Sequence, residues 1–200
     1  NKDITGVYER ISEKIQHFHD KNNINHKNLK ISTGLVKFAN TKHTVNFTKH
    51  IYNMHQDFLE KGFLLKIDCY HSKNFSERKS FVEKELHVML NRKNDKENKR
   101  FLSNPRISSA LEEAKEKGLN NVVFLVISSP LIEVGRDFDF DWGIIEPRGH
   151  RDIIQTSGRI LRHREFYNRV NCGLLSNKNL FFTFKNLLNI SSFHKAHKCM

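Results

Sequence analysis

The sequence predicts an α/β fold: an open, mainly parallel β-sheet with helices on both faces. Three observations carry that expectation. Val122 to Ile127 is an unbroken run of six apolar residues, the pattern of a strand covered on both sides in a parallel sheet. Short apolar runs alternate with helix-spaced amphipathic segments, the order that βα units produce. Two hundred residues suit one domain with enough chain for a real core.

Each element follows in order. Val7, Ile11, Ile15 and Phe18 recur at helical spacing, which predicts an amphipathic helix over 7–19. The Asn- and Lys-rich stretch 20–30 reads as a loop. Leu35 to Ala39 is a short strand. Asn40-Thr41 opens a helix with Val45, Phe47, Ile51, Met54 and Leu59 as core positions, and Gly62 closes it. Leu64 to Cys69 is a second strand. A helix over 76–90 turns Phe81, Val82, Leu86 and Met89 inward. Residues 91–105 are charged and polar and read as a mobile, basic surface insertion. A helix over 107–117 ends at Gly118 and leads into the central strand 122–127. Trp142 to Ile145 is the next strand, and 150–164 a further helix. Leu174-Leu175 and 180–184 are either a final strand or the start of another segment. The domain therefore spans about 1–165, and 166–200 is left as an uncertain C-terminal segment or the start of a further domain.

The charge balance narrows the partners. Lys and Arg number 34 against 22 Asp and Glu, a net +12, and such a surplus favours a polyanion, usually nucleic acid. Cys69, Cys172 and Cys199 are odd in number and lack CxxC spacing. That argues against a disulfide framework or a zinc site, and it fits a reducing cytoplasm. No apolar run approaches the roughly 18 residues of a membrane span. The N-terminal NKDITGVYER has no apolar core of the signal-peptide kind.

The chemistry concentrates between 128 and 164. On a continuous helix, at about 100° per residue, Gln155, Arg159 and Arg162 fall within roughly a 60° arc, with Arg151 near the same line. Ile153, Ile160 and Leu161 fall opposite and would bury. A planar, permanently charged guanidinium suits phosphate oxygens. A plain solvated basic face is the alternative, but Gly158 argues against it. A mid-helix glycine costs about 1 kcal/mol relative to alanine, which points to close approach of another backbone or a nucleotide.

These residues carry a resemblance. QTSGRILR (Gln155 to Arg162) resembles motif VI of superfamily 2 helicases, SSPLIEVGRD (Ser128 to Asp137) their motif V, and GLVKFAN (Gly34 to Asn40) their motif IV. The longer phrase EVGRDFDFDWGIIEP, followed by QTSGRILRHR, is similar to the CRISPR-associated helicase–nucleases of type I systems, subtype I-F in particular. CYHSKNFSER (Cys69 to Arg78) is similar to that family's YHS-containing segment. The resemblance covers about residues 31–165.

The resemblance implies a second, C-terminal RecA-like domain that lends arginines to ATP gripped by a first one. Arg162 is then the first choice for the arginine finger, Arg159 the second, and Gln155 orients the nucleotide or its neighbours. Asp137 matches a motif V aspartate near the ribose hydroxyls. Gly135 and Glu133 belong to the same loop, and Glu133 is equally readable as a surface carboxylate. Ser128 and Ser129, with Asn40, His71 and Ser72 at the ends of two other strands, are the candidate contacts to DNA phosphates. Proline follows Ser129 where a residue with an N–H is usual, which removes one donor. His71 is equally readable as an ordinary loop-end histidine.

The 200 residues contain no GxxxxGK[ST] loop and no DExD/H box, so Mg²⁺ and most of the ATP grip are expected on the missing first domain. His19-Asp20 reads as a chance HD dipeptide rather than part of a nuclease metal site. The implied partners are single-stranded DNA, the first RecA-like domain, an HD nuclease domain and the Cascade effector complex. The isolated chain is expected to be inactive. Rival expectations are an RNA helicase of the same superfamily, or a stand-alone nucleic-acid-binding module without chemistry.

Overall fold

The computed structural model describes residues 2–73, 76–95, 97–133, 137–163, 170–174 and 182–185. Helix α1 (Lys2–Asn22) buries Ile11, Ile15 and Phe18 completely. Strands β1 (Ile24–His26) and β2 (Leu29–Lys37) follow as an antiparallel hairpin. Its two-residue turn has Lys27 at φ 48° and Asn28 at φ 69°. Positive φ at both central residues is the tight-hairpin geometry that matches strand twist. The loop expected over 20–30 is thus the last residues of α1 followed by a β-hairpin. Its polar, three-residue first strand carries too few apolar positions to signal itself.

Helix α2 (Thr41–Asn53) is capped by Asn40, whose side-chain oxygen accepts the His43 N–H at 3.0 Å. Helix α3 (His55–Glu60) buries Phe58, and Gly62 at φ 80° turns the chain into β3 (Phe63–Tyr70). Helices α4 (Ser76–Leu90), α5 (Lys99–Leu102) and α6 (Pro105–Glu116) precede β4 (Asn121–Ser128). Asn104 caps α6, with Pro105 at its first turn, where no N–H is needed. A 3₁₀ turn (Pro130–Glu133), β5 (Trp142–Ile145), α7 (His150–Ser157), β6 (Val170–Leu174) and β7 (Phe182–Lys185) complete the described elements.

The sheet runs β3-β4-β2-β5-β6-β7, with β1 on the flank of β2. All pairings from β3 to β6 are parallel, and the β1–β2 and β6–β7 pairings are antiparallel. Tyr70, Ser128, Lys37 and Ile145 lie in register, so four parallel strands end along one line. One apolar layer packs α1, α2 and α3 on Val36, Leu65, Leu125, Ile127 and Ile144. The other packs α4, α5 and α6 on Ile31, Leu64, Phe124 and Val126. The expected open, mainly parallel sheet with helices on both faces is therefore present.

A close approach fixes the middle of the sheet. A Cβ on Gly34 would lie 2.1 Å from the Trp142 ring, so only glycine lets that indole sit across β2. Phe18 stacks on the indole at 5.9 Å. The indole N–H donates to Ser32 Oγ at 3.0 Å, and Ser32 Oγ lies 2.7 Å from His19 Nδ1. His19 Nε2 faces Asn121 Oδ1 at 3.3 Å. His19 is fully buried, and burial pushes its pKa down to about 4. It is a neutral core residue linking α1, β2 and β4.

Two expectations need correction here. Phe81 is 65% exposed rather than inward, because α4 buries Leu86, Met89 and Leu90 instead. The segment 91–105 lies on the surface as expected but is anchored to the interior through Arg92 and Phe101. Arg92 and Phe101 are buried, and the Arg92 guanidinium lies 3.6 Å from the Phe101 ring centroid. Arg92 also donates to Asp141 Oδ1 at 2.9 Å, while Thr33 N–H and Oγ1–H donate to Asp141 Oδ2. A buried ion pair with further hydrogen bonds ties this stretch to the interior at Arg92, while Lys93, Asn94, Lys99 and Arg100 stay exposed.

Candidate nucleotide and nucleic-acid edge

The carboxyl ends of parallel strands gather the loops that bind ligands in open α/β sheets. Here that edge is organised by a lysine. Lys37 ends β2 and is 0% exposed, yet its neighbours on both sides are apolar strands. Its ammonium is hydrogen-bonded to Asp152 Oδ1 on α7 and lies 2.9 Å from Glu133 Oε1 in the 3₁₀ turn. Arg148 closes the ring, with its side chain 3.1 Å from Glu133 Oε2 and its N–H donating to Asp152 Oδ2 at 2.8 Å. Thr156 Oγ1 donates to Asp152 Oδ1 at 3.2 Å.

Burial alone would push the Asp152 carboxyl up. The Lys37 hydrogen bond and charge, with the Arg148 N–H, outweigh that and hold it below the ordinary carboxylate range. One buried cation thereby ties together the three segments that follow β2, β4 and β5. The Glu133 side chain is only 11% exposed, so it is an internal ligand of Lys37 and not a free surface carboxylate. An open cleft of about 350 Å³ lies beside this ring, lined by Glu133, Arg148, Gly149, Arg151, Asp152 and Gln155.

The arginine segment differs from the expected long helix. Helix α7 stops at Ser157, and Gly158 is its C-cap at φ −63°. A Cβ there would lie 3.1 Å from the Ile154 carbonyl oxygen, so the tight approach is to the helix's own last turn. The face of α7 that buries is polar, comprising Asp152, Thr156 and Ser157, whereas Ile154 is 59% exposed. Ile160 and Leu161 do bury, but from an irregular stretch. Ile160 bridges Phe140, and Leu161 sits at φ 49°. Gln155, Arg159 and Arg162 therefore do not share one helical face.

The three candidates have separate environments. Gln155 is exposed on α7. Arg159 is 6% exposed and donates to the Glu133 carbonyl at 2.9 Å, with its guanidinium 5.9 Å from the Phe138 ring centroid. Burial, then the neighbouring Arg162 charge, lower its pKa. Arg162 has a side chain 39% exposed and pairs with Asp137 Oδ1 at 3.1 Å, itself 51% exposed. The Asp139 carboxylate, fully buried, accepts the Arg162 N–H at 3.1 Å and the His163 N–H at 3.2 Å.

The candidate phosphate contacts divide in two. Ser128 and Ser129 are buried. Ser128 Oγ is 2.8 Å from the Tyr70 carbonyl and 2.9 Å from that of Ser129, and the Ser129 N–H donates to the Tyr70 carbonyl at 3.2 Å. Both serines thus clamp β3 to β4. Asn40 and Ser72 are exposed and His71 half-buried, just past the ends of β2 and β3. Gly135 lies outside the described residues. Lys37, Asp152, Arg148 and Asp139 escaped the reading of the sequence. A lysine inside the apolar GLVKFA run was the available signal for the first, since such a charge needs a partner.

Residues 30–165 match the family model described as CRISPR-associated nuclease/helicase Cas3, C-terminal. A CRISPR-associated nuclease/helicase Cas3 subtype I-F/YPEST from Pseudomonas aeruginosa is 35% identical over 152 residues, covering 76% of this chain and 14% of the relative. The protein of the same description from Pectobacterium atrosepticum is 30% identical over 170 residues, covering 82% and 15%. The chain therefore spans about one-seventh of the length of these relatives. The crystal structure of T. fusca Cas3-ATP superposes with a TM-score of 0.50 at 13% identity, covering 87% of this chain and 17% of that one. That likeness concerns the fold, an open RecA-like sheet flanked by helices. With the match running through β2, β4, β5 and α7, the chain belongs to the Cas3-like C-terminal family of CRISPR-associated nuclease/helicases.

Proposed function

We propose that this chain is the second RecA-like motor domain of a subtype I-F CRISPR helicase–nuclease. It lends Arg162 to an ATP molecule gripped mainly by a first RecA-like domain. The observation that carries the reading is the solvent-exposed Arg162–Asp137 ion pair. An ion pair this open to water contributes at most about 1 kcal/mol. Arg162 can exchange Asp137 for a phosphate, leaving Asp137 to face the ribose hydroxyls.

The residues present fit a nucleotide's phosphate end but not the whole molecule. Arg162 offers a partly exposed guanidinium, and the exposed Gln155 can orient the nucleotide or neighbouring groups. The sequence has no phosphate-cradling GxxxxGK[ST] loop and no DExD/H box for Mg²⁺, so the metal belongs with the first domain. When bound, ATP supplies a γ-phosphoryl group whose oxygens gain charge as it transfers, and an arginine placed there is worth about 10³–10⁵ in rate. Arg159, buried against Phe138 and Glu133, holds the loop in place rather than reaching out.

DNA phosphates would be met by Asn40, His71 and Ser72, with the Ser128–Ser129 clamp setting the spacing of the two loops. A net charge of +12 favours this polyanion. The HD nuclease domain and the Cascade complex are the remaining partners in this reading. Steady-state ATP hydrolysis tests it. The isolated chain should show no turnover with or without single-stranded DNA, whereas the full-length parent should be DNA-stimulated. Turnover by the purified chain alone, or stimulation of the parent by RNA but not DNA, contradicts it.

A further inference from the structure

We propose that Asp139 is the positioning residue for Arg162, gripping the backbone at the base of that side chain so that the guanidinium is aimed before nucleotide arrives. The inference rests on the reading of Arg162 as the finger and names what regulates its placement.

The geometry is that of a clamp. Leu161 occupies the left-handed region at φ 49°, which turns the next two amides out of any helix or strand. Those amides, of Arg162 and His163, are met by the two carboxylate oxygens of Asp139 at 3.1 and 3.2 Å. Asp139 is itself immobilised. Its N–H donates to the Leu90 carbonyl at 3.1 Å, and Phe138 and Phe140 on either side are fully buried. Two residues on, Asp141 is locked to Arg92 and Thr33. On the other strand of the bridge, Phe140 N–H donates to the Arg159 carbonyl and Leu161 N–H to the Phe140 carbonyl.

The three aspartates of DFDFDW thus act at three depths. Asp141 fixes the segment to the core, Asp139 fixes the Arg162 backbone to the segment, and Asp137 holds the Arg162 tip on the surface. A fully buried carboxylate is costly unless its oxygens are satisfied, so retaining one under the finger points to a geometric demand. A finger displaced by about 1 Å can lose about 10²-fold in rate.

The test uses the full-length parent carrying Asp139→Asn, which removes the charge and one of the two acceptors with little change in shape. ATP turnover, the KM for ATP, the affinity for a fluorescent ATP analogue and hydrogen exchange at the 162–163 amides are read together. We expect kcat to fall about 10²-fold, KM and analogue affinity to stay within about twofold, and exchange at those two amides to accelerate. Adding Asp139→Asn to Arg162→Ala should cost nothing further, because residues acting as a unit are non-additive. Wild-type kcat in a parent where Arg162→Ala is dead overturns the clamp and leaves the finger standing. Wild-type kcat for Arg162→Ala overturns both. Should the asparagine variant melt early, Asp139→Ser serves instead, and normal turnover by a stably folded Asp139→Ser protein likewise overturns the proposal.

Discussion

Lys37 and Asp152 form an ion pair in the interior, with the lysine fully out of water and the aspartate side chain 6% exposed. The pair joins the end of β2 to the first turn of α7, and Glu133 extends it to the turn after β4. Three loops that are far apart in sequence thereby share one charge. Removing Lys37 takes the shared ammonium away from two largely buried carboxylates, and breaking a buried ion pair in this way typically costs about 3–5 kcal/mol.

Lys37→Met should therefore destabilise the domain by about 3–5 kcal/mol in urea unfolding. Replacing both partners, Lys37→Met with Asp152→Leu, should recover a large part of that loss. Equal destabilisation by the single and double variants would show that Asp152 does not depend on Lys37.

Gly34→Ala tests the crossing of Trp142 over β2. The new methyl would lie 2.1 Å from the indole, so either the ring or the strand must move. A loss of about 3 kcal/mol is expected, the upper end of overpacking costs. Near-ultraviolet circular dichroism should report a displaced Trp142. A neutral substitution with an unchanged tryptophan signal would contradict the packing.

His19 gives the domain an acid sensitivity of defined sign. Its folded pKa is about 4, below the ordinary value of about 6.5, so the unfolded chain binds the proton first. Its contribution is fully present above pH 6.5 and is lost as pH falls towards 4. The loss across that window is on the order of 3 kcal/mol. His19→Gln should flatten the dependence of melting temperature on pH between those values. An unaltered slope would mean that His19 is not the titrating group.

Much of the sheet was legible because buried parallel strands and capped helices write plain patterns. Val122 to Ile127 is apolar throughout, and Asn40 and Gly62 bound the expected helical stretch, which the structure splits at Met54 into α2 and α3. The limits of α7 were harder. Apolar and basic residues at helical spacing continue past Gly158, yet Ile160 and Leu161 bury through a bridge to Phe140 and a left-handed turn. Long-range pairing overrode the local period there. Residues 91–105 misled for the opposite reason. Arg92 looks solvent-facing until Asp141, 49 positions away, supplies its charge partner. The same holds for Lys37, whose ligands Glu133 and Asp152 come from other loops. Sequence displayed the charges but not who meets whom.

The most direct measurement is ATP turnover by the full-length parent bearing Arg162→Ala, with nucleotide affinity measured alongside. Hydrolysis should fall by about 10³-fold or more while ATP affinity changes by less than about tenfold, since a finger acts chiefly in the transition state. Undiminished hydrolysis would contradict the central claim that Arg162 completes an active site housed on another domain.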